Sequence, residues 1–150
     1  MKKILITAGE NQFSKKQIKS LESLIIQNYK TYISHEKVCV IWSRVQMDDV
    51  FHNYKKGQPS ILVIECHEQL GQDQRVDMFK ICTHDWLRIT GQNIDQLVIS
   101  VLETPVFSTL LQRNSKCLSV IGKSKYHLKL VLGLAWSRVS KGYYSFSSSI

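Results

Sequence analysis

An offset of 57 positions lays one part of this chain over another, and that repetition restricts the fold more than any other feature. Leu21, Leu24, Ile25 and Tyr29 fall on Met78, Ile81, Cys82 and Trp86, and Ile4-Leu5-Ile6 falls on Ile61-Leu62-Val63. Each copy opens with a short apolar run, continues with apolar residues at helical spacing, and ends on a second β-type run. Ser14 followed by Gln17 predicts a capped helix over Lys15–Thr31. The second helix is expected over Gln72–Ile89, ended by Gly91 in the left-handed conformation that glycine favours. Val38–Trp42 and Leu97–Val101 supply the closing strands.

Two strands joined through a helix must run parallel, so each copy reads as a β-α-β unit. The units are expected at 1–45 and 58–104, with a polar linker at 46–57 that forms a loop or short hairpin before Pro59. Side by side they predict an α/β (α+β) fold: a four-stranded sheet with two helices on one face, within a domain spanning 1–112. The opposite sheet face is then apolar and uncovered, which calls for self-association.

Charge separates the remaining 38 residues from this body. Residues 1–112 hold 13 Lys/Arg and 12 Asp/Glu, a net of +1, whereas residues 113–150 hold seven basic residues and no acid. This extension contains Leu128, Val131, Leu132, Ala135, Trp136 and Val139 at helical spacing within Lys125–Val139. A helix packed over a sheet edge or on a neighbouring subunit is the expected use of that stripe, so neither nucleic acid nor membrane is expected as a partner. The final Gly142–Ile150 reads either as a frayed end or as an extra strand traded between subunits. No apolar run approaches the roughly 18 residues of a membrane span. The apolar start breaks at Ala8-Gly9-Glu10, too soon for a secretory signal. Cys39, Cys66, Cys82 and Cys117 show no metal-like spacing and read as reduced thiols, so a cytoplasmic location is expected.

The residues Gln58-Pro59-Ser60-Ile61-Leu62-Val63, the helix start Gly71-Gln72-Asp73-Gln74-Arg75, the passage Thr90–Ile99 and the Glu103-Thr104-Pro105 that follows resemble the tautomerase superfamily. The similarity is to fused two-unit members of the 4-oxalocrotonate tautomerase and cis-3-chloroacrylic acid dehalogenase type, and it spans about residues 2–112. It implies a protomer of two β-α-β units assembled as a homotrimer, with no cofactor. It also implies an amino-terminal proline acting as general base, and there this chain departs: the position is Lys2, and Met1 is expected to remain. Pro59 holds the matching place in the second copy, but its nitrogen is locked in a peptide bond and has no basic lone pair.

The free amines at the expected catalytic position are therefore those of Met1 and Lys2. The second-strand arginine of single-unit members is replaced by Cys39 and by Val98, and the arginines of the dehalogenase branch by Cys66-His67-Glu68-Gln69. Arg44, just past the second strand, is a candidate for holding a small carboxylate, with Phe51, Tyr54 and His67 as further pocket candidates. His67-Glu68 and His84-Asp85 raise the thought of a metal, yet His84 and Asp85 fall on the outer side of a helix, and no metal site is expected. The expected function is that of a divergent member with a small pocket and no amino-terminal proline mechanism. Two alternatives stand beside it: an isomerase or lyase acting on a small keto or enol acid through Met1 or Lys2, and a binding module using the basic tail.

Overall fold

The computed structural model describes residues 1–46, 51–52, 55–67, 70–116 and 120–147. The first unit is β1 (Lys2–Gly9), α1 (Lys15–Tyr32) and β2 (Val38–Val45), and β1 pairs with β2 in parallel. A two-stranded ribbon follows, β3 (Phe51–His52) paired antiparallel with β4 (Lys55–Lys56), where a loop or hairpin is expected. The second unit is β5 (Ser60–Cys66), α2 (Gln72–Thr90) and β6 (Leu97–Glu103), again with parallel strands. The extension continues as α3 (Thr104–Lys116), α4 (Val120–Lys141) and β7 (Tyr144–Ser147).

The main sheet runs β6-β5-β1-β2-β7, with β1 and β5 antiparallel at its centre. It thus has five strands where the repeat predicts four, because β7 adds to the β2 edge in parallel. The terminal strand is paired within its own chain. Helix α3, which begins at Thr104-Pro105 and crosses the expected boundary at Gln112, was not foreseen.

A glutamine at the third position closes the start of α1 and of α2. Ser14 accepts from the Gln17 backbone N–H, and the Gln17 carboxamide oxygen accepts in return from the Ser14 N–H. Gln74 repeats half of this, accepting from the Gly71 N–H at 3.3 Å. Gly91 ends α2 at φ 73, and the Gly91 N–H donates to the Leu87 carbonyl. Ile18, Leu21, Ile25 and Tyr29 of α1 and Met78, Cys82 and Trp86 of α2 are buried against Ile4, Ile6, Val40, Trp42, Leu62 and Ile64. Phe13 sits edge-on to Trp42 and Trp86, with ring centroids 6.1 and 5.8 Å away, so one ring joins the cores of the two units.

The strand register corrects the sequence alignment by one residue. Ile4 and Ile6 share the helix-covered face with Leu62 and Ile64, whereas Ile61 lies 41% exposed on the other face. Side chains alternate along a strand, so the true offset between β1 and β5 is even, 58 rather than 57. Ser60, not Pro59, therefore occupies the position equivalent to Lys2; both are buried on the same face.

Candidate functional site

Lys2 opens β1 and faces the helices, a costly place for an ammonium. Its Nζ donates to Thr104 Oγ1 at 2.8 Å and lies 3.8 Å from Glu65 Oε1, with the two charged side chains only 9% and 8% exposed. Glu65 comes from the end of β5, which the antiparallel β1–β5 pairing delivers to the start of β1. Its other oxygen accepts from the Lys3 backbone N–H at 3.0 Å. Thr104, the first residue of α3, lies 3.1 Å from Glu65 Oε1 and 3.0 Å from the Cys66 carbonyl, either of which its single hydroxyl proton can reach. The three residues form a closed, charge-neutral cluster in which each polar atom has a partner.

Around this cluster lie other charges from the same end of the sheet. Arg75 on α2 approaches Glu103 at 3.9 Å, and both are partly exposed. Arg75 also donates through Nε to the Leu70 carbonyl. Cys66 is fully buried here, and burial raises its thiol above the ordinary range, against the smaller pull of Arg75. His67 follows Cys66 and is exposed, and Met1 is 80% exposed. Met1, Lys2 and His67 thus belong to one end of the molecule, and Glu65, Arg75, Glu103 and Thr104 join them there.

Arg44 does not. It pairs with Ala8, six residues along the parallel strands from the Lys2–Val38 pair, or about 20 Å away. Its guanidinium donates to the Tyr143 hydroxyl at 2.8 Å and lies 5.7 Å from the centre of that ring. Arg44 thus anchors the terminal strand of its own chain, and it is too far away to hold a carboxylate at Lys2. Phe51 belongs to the small ribbon, and Tyr54 lies outside the described residues. Cys39 and Val98 lie on the open sheet face. His84 is on the outer surface beside Asp85.

The start of β5 forms the other pseudo-equivalent end. Ser60 Oγ donates to Gln92 Oε1 at 3.1 Å and accepts from Gln12 Nε2 at 3.3 Å. Both glutamine amides also donate to the Gln58 carbonyl at 2.7 Å, and Trp86 Nε1 donates to Gln92 Oε1 at 2.7 Å. A shallow depression of about 550 Å³ lies elsewhere, on the outer side of α1, lined by Ser23, Ile26, Gln27, Lys30, Thr31 and His35.

Among solved structures the fold has clear counterparts. Native Ps01740 superposes with a TM-score of 0.63 at 16% identity, covering 67% of this chain and 92% of its own. N1, a member of the cis-3-chloroacrylic acid dehalogenase family, gives 0.62 at 10% identity, covering 67% and 73%. A fused 4-OT, a wild-type symmetric trimer, gives 0.60 at 7% identity, covering 67% and 84%. The chain has the tautomerase-superfamily fold. No family model matches the sequence, and no curated protein matches it either. The matched part is about two thirds of the chain.

Sequence reasoning found Lys2 but missed Glu65 and Thr104, which lie 63 and 102 residues away and meet it only through the sheet. A single acid at the end of the apolar run Ser60–Cys66 was the available signal.

Proposed function

We propose that this is a self-associating tautomerase-fold protein that does not carry out amine-based proton transfer at the start of β1. The placement of Lys2 carries the reading. A general base there needs a free lone pair and a substrate within hydrogen-bond reach. Lys2 Nζ is instead enclosed by Glu65 and Thr104, donating to Thr104 Oγ1 at 2.8 Å and lying 3.8 Å from Glu65 Oε1. The role of any small carboxylate ligand falls to Arg75 at this end, because Arg44 is held by Tyr143 at the other.

Self-association is supported by the open sheet face, where Ile61 and Val98 are exposed, and by trimers among the fused 4-OT neighbours. A homotrimer with its sheets toward the central axis would cover that face.

The test is an assay with an enolisable 2-keto acid. The natural protein is expected to show little or no turnover. Lys2→Pro combined with Glu65→Gln, with the N-terminus confirmed by mass spectrometry, supplies a secondary amine without leaving a buried carboxylate unpaired, and a weak tautomerase is expected. Robust turnover by the natural protein, abolished by acetylating Met1, would overturn this reading. It would favour an isomerase or lyase that uses a primary amine, for which the 80% exposure of Met1 is the supporting observation.

A further inference from the structure

Helix α4 carries its most apolar side chains outward. Leu130 and Leu134 are half-buried and Ser137 is buried, its hydroxyl accepting from the Ser145 N–H at 2.8 Å and donating to the Leu134 carbonyl. That polar contact fixes which side of α4 rests against β7. Leu128, Val131, Leu132, Trp136 and Val139 occupy the opposite side, between 60% and 84% exposed. At 1.5 Å per residue this stripe runs for about 17 Å. Of the two uses expected for the stripe, a sheet edge or a neighbouring subunit, the first is not seen within the chain: the same helix docks through its less apolar side. Single exposed apolar residues need no explanation, but five in register on one helix do.

We propose that this stripe docks α4, lying flat, on an anionic lipid surface. Charge complementarity selects that occupant. Residues 113–150 contain seven Lys/Arg and no Asp or Glu. Within the described part of α4, Lys129, Arg138 and Lys141 are exposed along the helix that bears the stripe. Arg138 already donates to the Gly142 carbonyl and packs against the Tyr144 ring, which holds the last turn of α4 to the body. An apolar band with a tryptophan in it and lysines on the same helix suits the boundary between anionic headgroups and acyl chains. A second copy docking through the same stripe would bring two acid-free segments of charge +7 together. A nucleic acid would satisfy the lysines but leave Leu132, Trp136 and Val139 against phosphate and water. No helix among the described residues is long and apolar enough to cross a membrane, so the attachment is peripheral.

The test uses the full chain at physiological ionic strength. Vesicles of phosphatidylcholine alone are compared with vesicles of phosphatidylcholine containing phosphatidylserine, read by flotation and by tryptophan emission. Trp42 and Trp86 are already buried, so a blue shift on binding reports Trp136. Binding to the anionic vesicles only, with a blue shift, is expected. The variant Val131→Ser/Leu132→Ser/Trp136→Ser keeps every charge and changes only exposed positions. It should lower the partition coefficient at least about a hundredfold, since each full side-chain burial is worth a factor of ten or more. Equal binding by the variant would mean that charge alone acts, and would overturn the proposal. So would an oligomer whose mass drops in the variant without vesicles, which would make a second copy the occupant. Binding to a short RNA duplex in place of vesicles would overturn it equally.

Discussion

Replacing Lys2 by Met tests the reading of the β1 start most directly. The methionine keeps the length and apolar stem of the lysine and removes only its charge. At 3.8 Å and an effective dielectric of 20 the Lys2–Glu65 attraction is about 4 kcal/mol before desolvation is charged against it. The net worth of the intact pair is therefore small, but removing one partner leaves a buried carboxylate uncompensated, which costs about 3–5 kcal/mol. Glu65 retains the Lys3 N–H and the Thr104 hydroxyl as donors, which places the expected loss near about 3 kcal/mol. For a chain of this size that lowers Tm by about 6–12 °C. Lys2→Met/Glu65→Gln removes both charges while preserving an acceptor for the Lys3 N–H, and should return to within about 1 kcal/mol of the natural protein. The assay is urea denaturation at fixed protomer concentration, since oligomerisation would otherwise shift the midpoint. A loss below about 1 kcal/mol for Lys2→Met, or a double variant no better than the single one, would refute a buried, mutually dependent pair.

Three further outcomes follow from the same structure. Burial raises the Glu22 carboxyl above its ordinary 4.5, opposed by the Trp42 indole N–H and by Arg138. The folded chain then binds more protons than the unfolded one between 4.5 and the raised value, so this residue makes stability fall as pH rises through that window. Glu22→Gln should flatten that slope in pH-dependent urea midpoints, and an unchanged slope would contradict the assignment. Burial pushes the Cys82 thiol up to about 11 and also raises Cys66. Iodoacetamide should therefore label neither residue in the native protein and both in urea, as mapped by mass spectrometry; rapid native labelling would count against it. Finally, light scattering should report a trimer, and a stable monomer of 17.3 kDa would remove the role assigned to the open sheet face.

Those features that depend on neighbours in sequence were legible. The Ser14–Gln17 box and Gly91 mark helix ends through backbone hydrogen bonds a few residues apart, and the observed helices match the expected ones to within a residue. The strand offset was not legible, because Ile61-Leu62-Val63-Ile64 is apolar throughout and offers no alternation to set its register. Thr104-Pro105 did carry a helix-start signal, a proline inside the first turn, that could have revealed α3. The direction of α4 was beyond reach. Its stripe was plain in the sequence, but which side of the helix meets the body is decided by Ser137 and Ser145, whose contact appears only once β7 has joined β2.

The corrected offset also changes what the repeat says about chemistry. With Ser60 equivalent to Lys2, the proline of the second copy stands one residue outside the strand position from which the family's base would act. In the first copy the side-chain amine at that point is Lys2 Nζ, held against Thr104 and Glu65, and in the second copy the residue is Ser60, which has no amine. One end answers its buried polar group with an ion pair, Lys2 with Glu65, completed by Thr104 from α3. The other answers it with neutral amides, Gln12 and Gln92 converging on Ser60 and the Gln58 carbonyl. A catalytic group is ordinarily left with a lone pair or proton for the substrate, whereas a structural polar group is satisfied within the fold. Both ends are satisfied within the fold. Among the described residues, large apolar side chains are exposed on the open sheet face and along α4, and apolar surfaces of that kind favour association.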